Sequence, residues 1–208
     1  MAVLPFTGAF KGGEKDRRRI FRTAAGVFAR KGYHETTVDE IARAIGVAKG
    51  TIYYHFKNKE ELYLALIQEG INLLKERLCA ALAGAAGPDE KVKGIITSLL
   101  CFCEKEKDLV FLFLKELSGS YQHRELLAGM LSECLGTIRS VIEEGMAGGT
   151  FRQADPEITT TSLFGMVTIS ALHYTAYSRK IPLDSASTAI KEIFLKGMAY
   201  SSTEGGHC

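Results

Sequence analysis

From Thr36 to Lys59 the chain reads TTVDEIARAIGVAKGTIYYHFKNK. Thr37, followed three residues later by Glu40, is a capping box: the hydroxyl can accept from a backbone N–H and the carboxylate can reach back. Val38, Ile41, Ala42 and Ile45 then recur on one helical face, which predicts a short helix that Gly46 stops. A second short helix is predicted from about Lys49 to Phe56. Two such helices meeting at a sharp angle need a small residue where they approach, and Ala42 provides it. They need a turn residue that tolerates positive φ, and Gly46 provides that. Ile41, Ile45, Val47 and Ile52 stand at offsets that seal the corner. Several mutually consistent positions, not a lone glycine, therefore carry a helix-turn-helix.

The outer face of the second short helix points to a ligand. Lys49, Gly50, Thr51, Tyr53, Tyr54 and His55 are polar or amphipathic, and few of them can be core. A Lys-Gly-Thr start lets backbone approach the major groove, where lysine can read guanine acceptors and threonine a base or a thymine methyl. Tyr54 and His55 can donate to phosphate oxygens, and Lys59 adds charge at the start of the next helix. Tyr53 is ambiguous: its ring can pack under the recognition helix while its hydroxyl reaches the DNA backbone, and the alternative is that it makes no DNA contact.

Working outward, helical periodicity dominates and no stretch alternates with period two. Residues 1–13 read as an unpatterned arm. A basic amphipathic helix follows from Asp16 to near Gly32, through Ile20, Ala24, Val27 and Phe28. Beyond the helix-turn-helix, Asn58 with Lys59-Glu60-Glu61 opens a long fourth helix that the Gly84–Pro88 stretch breaks. Asp89 is expected to cap helix five and Asp108 to start helix six. Helix seven is expected from about Ser120 to Gly145. Asp155-Pro156-Glu157 opens helix eight, with proline at the first helical position, and helix nine starts near Asp184. The expected class is all-α with nine helices. A helix-turn-helix domain over 14–60 precedes a helical domain over 61–202, and 203–208 is a tail.

Bulk composition agrees. Of 208 residues, 46% are hydrophobic and 24% charged, which suits a packed core. The formal net charge of +2 hides an asymmetry: residues 1–60 carry 12 Lys and Arg against 6 Asp and Glu, and the remainder 14 against 18. A basic segment on a mildly acidic carrier suits a polyanion partner. The five cysteines, Cys79, Cys101, Cys103, Cys134 and Cys208, make no disulfide framework, and with no visible secretory signal the expected location is the cytoplasm. Ile158 to Ser178 lacks Asp, Glu, Lys and Arg, but its many threonines and serines suit a helix buried in protein better than one in lipid. No membrane role is expected.

The stretch from about Arg17 to Leu66 resembles the DNA-binding domain of the TetR family of regulators. The matching residues are Phe28-Ala29-Arg30-Lys31-Gly32-Tyr33, Thr36-Thr37-Val38, Ile41-Ala42, Gly46-Val47, and Gly50-Thr51-Ile52-Tyr53-Tyr54-His55-Phe56 with Lys59. The rest of the chain agrees in length, helix count and order. The resemblance implies a nine-helix architecture and a homodimer built on helices eight and nine. Its two recognition helices would enter successive major grooves of a near-palindromic operator in double-stranded DNA. Thr37, Lys49, Gly50, Thr51, Tyr53, Tyr54, His55 and Lys59 would carry DNA contact. The family often has a polar or basic residue where Val38 stands, which puts one base contact in doubt. Ligand binding in the C-terminal domain would release DNA, making the protein a ligand-responsive regulator of repressor type.

The interface also has a reading from residues alone. Helix nine places small residues on its apolar stripe, and the expected contact set is Gly165, Ile169, Ala189, Ile190, Ile193, Phe194 and Gly197. The alternative is that this stripe closes the subunit's own core. For an effector pocket the expected residues are Phe102, Phe111, Leu112, Tyr121, Met130, Cys134, Phe164, His173, Tyr174 and Tyr177. This mostly apolar and aromatic set suits a small lipophilic or aromatic effector, such as a fatty acyl compound or a hydrophobic drug. Cys101 and Cys103, two apart on a helix, do not face one another, and no metal site or cofactor is expected. No nucleophile elbow, phosphate loop or paired-carboxylate motif can be placed, so the chain is not read as an enzyme. An all-helical small-molecule-binding enzyme and a DNA-binding dimer that senses nothing stay open as alternatives.

Overall fold

The computed structural model describes residues 14–118, 124–176 and 180–198. Among them are nine helices: α1 (Glu14–Lys31), α2 (Val38–Ile45), α3 (Lys49–His55), α4 (Lys59–Leu82), α5 (Pro88–Lys105), α6 (Lys107–Ser118), α7 (Arg124–Ala147), α8 (Pro156–Ala176) and α9 (Leu183–Met198). The expected order and type hold throughout. Helix five differs at its start, where Pro88 is the first helical residue and Asp89 lies inside the first turn. Proline has no N–H to leave orphaned there and its φ already suits a helix. The expected beginning of helix seven falls on 119–123, outside the described residues.

Contacts divide the chain into two units. The first joins Met1–Leu73 to Glu106–Met130, and the second joins Leu74–Lys105 to Leu131–Cys208. The boundary expected at residue 60 therefore falls inside the first unit. Helix α4 runs on unbroken to Leu82, and α6 returns to pack on α1.

In the first unit, Phe21, Ala24, Ala25, Val27 and Phe28 of α1 are buried together with Leu62, Tyr63 and Leu66 of α4. Phe28 and Tyr63 meet edge to face at 5.0 Å, a favourable ring arrangement. Gly70 of α4 allows Leu109 of α6 to come so close that a Cβ there would lie 2.9 Å from Leu109 Cγ. Arg22 of α1 grips Glu106, the residue between α5 and α6, with Nε to Oε2 at 2.9 Å and Nη2 to Oε1 at 2.6 Å. The glutamate side chain is 2% exposed and the arginine half exposed. The Arg22 guanidinium is accordingly pushed up from its ordinary value, chiefly by its hydrogen bond to Glu106.

In the second unit α5 is the central helix. Val92, Ile95, Ile96, Leu99, Leu100, Phe102 and Cys103 are all buried, and both α8 and α9 pack on it. Thr97 and Ser187 hydroxyls join α5 to α9 at 3.0 Å, and Lys91 bonds both carboxylate oxygens of Glu144 on α7 at 2.7 Å. Asp155 caps α8 by accepting from the Ile158 N–H at 2.9 Å. Along α8 the buried line is Thr160, Leu163, Val167 and Ala171. Thr159, Thr160 and Thr168 satisfy their hydroxyls on carbonyls four residues back, so threonines do not prevent burial. Ile158 and Ile169, on other faces of this helix, are 66% and 60% exposed. No described helix is long and apolar enough to cross a membrane.

Candidate nucleic-acid interface

The helix-turn-helix is built from its caps inward. Thr37 is extended (φ −107°, ψ 151°); its hydroxyl accepts from the Glu40 N–H at 3.3 Å, and Glu40 Oε2 accepts from the Thr37 N–H at 3.1 Å. Lys31 at the end of α1 also bonds Glu40. That ammonium, with the Thr37 donors, lowers the Glu40 carboxyl to about 2. Gly46 follows α2 at φ 79°, its N–H reaching the carbonyls of Ala42 and Arg43, while the Val47 N–H returns to Ala42. This is a Schellman closure. Nothing lies within 4 Å of where a Gly46 Cβ would sit, so the backbone conformation alone calls for glycine.

Helix α3 has one buried residue, Ile52, which with Phe56, Ile41 and Ile45 forms the inner side of the corner. The rest of α3 faces out. Lys49, Gly50, Thr51 and Tyr53 are exposed, Tyr54 is 85% exposed, and His55 is half-buried with its ring edge to face with Tyr54 at 4.9 Å. A Cβ on Gly50 would meet nothing within 4 Å, so the subunit's own packing does not demand glycine there. An exposed helical glycine without a packing reason suits close approach by another molecule. The Tyr53 ring is exposed, and the Lys49 ammonium stands 5.7 Å from its centroid. Lys49 also pairs with Asp39 of α2 and is pushed up from its ordinary value by that hydrogen bond.

Lys59 is bonded within its own subunit. Its ammonium donates to the carbonyls of Tyr33 at 2.7 Å, His34 at 3.0 Å and Thr36 at 2.9 Å, and lies 4.6 Å from the centre of the Tyr33 ring. Three N–H bonds meet three acceptors. The first residue of α4 thereby fixes the loop that presents Thr37.

The other expected site residues are distributed over both units. Among the pocket set, Phe111, Leu112 and Met130 belong to the first unit, and Phe102, Cys134, Phe164, His173 and Tyr174 to the second. Phe102, Leu112, Met130 and Cys134 are buried, Phe164 and Tyr174 half-buried, Phe111 and His173 exposed. Tyr121 and Tyr177 lie outside the described residues. Of the interface set, Ile190 and Phe194 are buried within the subunit. Ala189, Ile193 and Gly197 face out with Ile169, and Gly165 is half-buried with open space at its Cβ. Sequence reasoning passed over the pairings of Asp39 and Lys31 and the Arg22–Glu106 pair, because a charged side chain reads as solvated surface until its partner is known.

The description "Bacterial regulatory proteins, tetR family" matches residues 20–66, the segment holding α2, α3 and most of α1. A second, "Tetracyclin repressor-like, C-terminal domain", matches residues 85–176, so the two take in about two thirds of the chain. The chain belongs to the TetR family of transcriptional regulators. Like other TetR-family chains it has a DNA-binding helix-turn-helix ahead of a helical C-terminal domain. Its similarity extends over almost the whole length to the fatty acid metabolism regulator protein of Bacillus subtilis, 26% identical over 86% of this chain and 94% of that one. Among solved structures, the fatty acid degradation regulator FadR of Bacillus halodurans superposes with a TM-score of 0.79 at 26% identity, covering 92% of this chain and all of the other. Bacillus subtilis FadR, determined in complex with stearoyl-CoA, gives 0.78 at 26% identity over 87% and 98% of the two chains.

Proposed function

We propose that this TetR-family regulator is a homodimeric repressor that binds a near-palindromic operator through the open face of α3 and is released by a long-chain acyl effector. The observation that carries the DNA reading is the outward set Lys49, Gly50, Thr51 and Tyr54 over a corner whose inner side is filled by Ile41, Ile45 and Ile52. Such a helix is anchored by its core yet offers hydrogen-bonding side chains, a glycine and two phenols to its surroundings. A single seven-residue recognition helix gives limited specific affinity, which is why two copies on one site are expected. Ile158 and Ile169 on α8 with Ala189, Ile193 and Gly197 on α9 offer exposed isoleucines and small residues for that pairing. The acyl assignment draws on the similarity to fatty acid regulators, one of them crystallised with stearoyl-CoA, and on the apolar character of the C-terminal helices.

The test uses full-length protein and DNA duplexes selected by it from a randomised pool. Fluorescence anisotropy should give two subunits per selected duplex and an affinity that falls steeply with salt. Stearoyl-CoA should release the duplex at concentrations where coenzyme A does not. Salt-insensitive or sequence-indifferent binding would overturn the operator reading. Release by neither stearoyl-CoA nor shorter acyl-CoA thioesters would overturn the effector alone.

A further inference from the structure

Asp39 is the second residue of α2, and it is not part of the capping box, which Thr37 and Glu40 complete. Its carboxylate instead meets the first residue of α3: Lys49 Nζ donates to Oδ2 at 3.0 Å and stands 2.9 Å from Oδ1. Both side chains are about half exposed, 53% for Lys49 and 49% for Asp39. An exposed pair of this kind adds little to folding stability, since solvent already stabilises both charges. Its placement matters more, for it sits beside Gly50 and Thr51, where the helix is open to a neighbour.

A lysine ammonium is a compact charge on a flexible four-carbon stem and can reach a phosphate as readily as a base. Bonds to phosphate hold any DNA sequence equally. The carboxylate on one side and the Tyr53 ring, 5.7 Å from Nζ, on the other restrict where that ammonium can point. An ammonium has three donors, so one bonded to Asp39 still has N–H groups for an acceptor. We propose that Asp39 is a specificity-determining residue of the DNA interface, acting as the positioning partner that holds Lys49 toward base acceptors and away from phosphates. The inference rests on the operator-binding reading above. A carboxylate at this surface repels the phosphates of every sequence. The oriented ammonium rewards only a sequence with an acceptor, such as guanine O6 or N7, in the right place. A general cost combined with a selective gain widens the gap between specific and random DNA.

Selection from a randomised duplex pool is carried out with the wild-type protein, Asp39→Asn, Lys49→Ala and the double variant, and each is titrated against a random-sequence duplex at several salt concentrations. Asp39→Asn should lose base preference at the same position of each half-site as Lys49→Ala. It should bind random duplex several-fold more tightly with a steeper salt slope, while its unfolding midpoint stays near that of the wild type. In the Lys49→Ala background, Asp39→Asn should alter no further base preference. Retention of every wild-type preference by Asp39→Asn, or loss at positions that Lys49→Ala leaves intact, would overturn the assignment. A wild-type protein that selects no site would overturn the operator reading itself, which separates the two failures.

Discussion

Lys59 and Glu40 show how single charges organise the basic end of the chain. With three carbonyls of the α1–α2 loop on its ammonium, Lys59 acts as a plug for backbone acceptors, and Lys59→Met keeps the stem while removing every donor. That substitution should lower stability by about 2 kcal/mol, as expected for charge-assisted bonds in a part-buried site, and shift the urea midpoint accordingly. Glu40 carries a folded-state value of about 2 against an ordinary 4.5. Its contribution to stability is therefore present above pH 4.5 and is lost as the pH falls through about 2. A carbon-detected titration of the Glu40 carboxyl should place its midpoint near 2, and in Lys31→Met that midpoint should rise. The thiols follow the same logic: burial pushes Cys103 up to about 12 and Cys134 up to about 11. Alkylation of the native protein should label Cys79, which is exposed, well before either of them, as read by peptide mass spectrometry.

At the scale of elements, the same Gly→Ala change should have opposite signs at two helix positions. In Gly70 of α4 a Cβ would collide with Leu109 of α6, so Gly70→Ala should destabilise by about 1–3 kcal/mol despite alanine's better helix propensity. Gly136 of α7 has nothing within 4 Å of that position, and Gly136→Ala should stabilise by roughly 0.5–1 kcal/mol. Chemical denaturation of both variants checks the pair. The Arg22–Glu106 bond between α1 and the start of α6 should be asymmetric as well. Arg22→Met strips the bidentate donor from a carboxylate that is buried, whereas Glu106→Gln leaves a half-solvated guanidinium and a neutral acceptor. The arginine substitution should cost more, by about 1–2 kcal/mol after allowance for the solvent at Arg22.

At the scale of the whole molecule, the outward isoleucines are where the proposed pairing is tested. Ile193 is 64% exposed on α9, between Ala189 and Gly197 one turn to either side. Ile193→Asp replaces an apolar side chain of the proposed pairing surface with a carboxylate, and should convert the dimer to a monomer in sedimentation velocity at concentrations where the wild type is paired. The monomer should keep its helix content, because Ile190, Phe194 and Met198 hold α9 to its own subunit. It should also lose the preference for a two-fold operator. An unchanged sedimentation coefficient would assign the pairing to another surface.

Local chemistry made much of this protein legible in its sequence. The Thr37–Glu40 box, Gly46 and the spacing of Ile41, Ile45 and Ile52 specify the helix-turn-helix, because caps and short helical periods act over a few residues. The same reading put Lys49, Gly50, Thr51 and Tyr54 on an open face, where the structure finds them. Tertiary structure decided what depends on distant partners. It turned Ile190 and Phe194 inward and Ile193 outward from a stripe that the sequence presents as one, because α5 covers only part of α9. It gave α6 to the unit of α1 through Arg22 and Glu106, 84 residues apart. It also set Lys59 on loop carbonyls and Lys49 on Asp39, since a charge declares no partner until the fold brings one within reach.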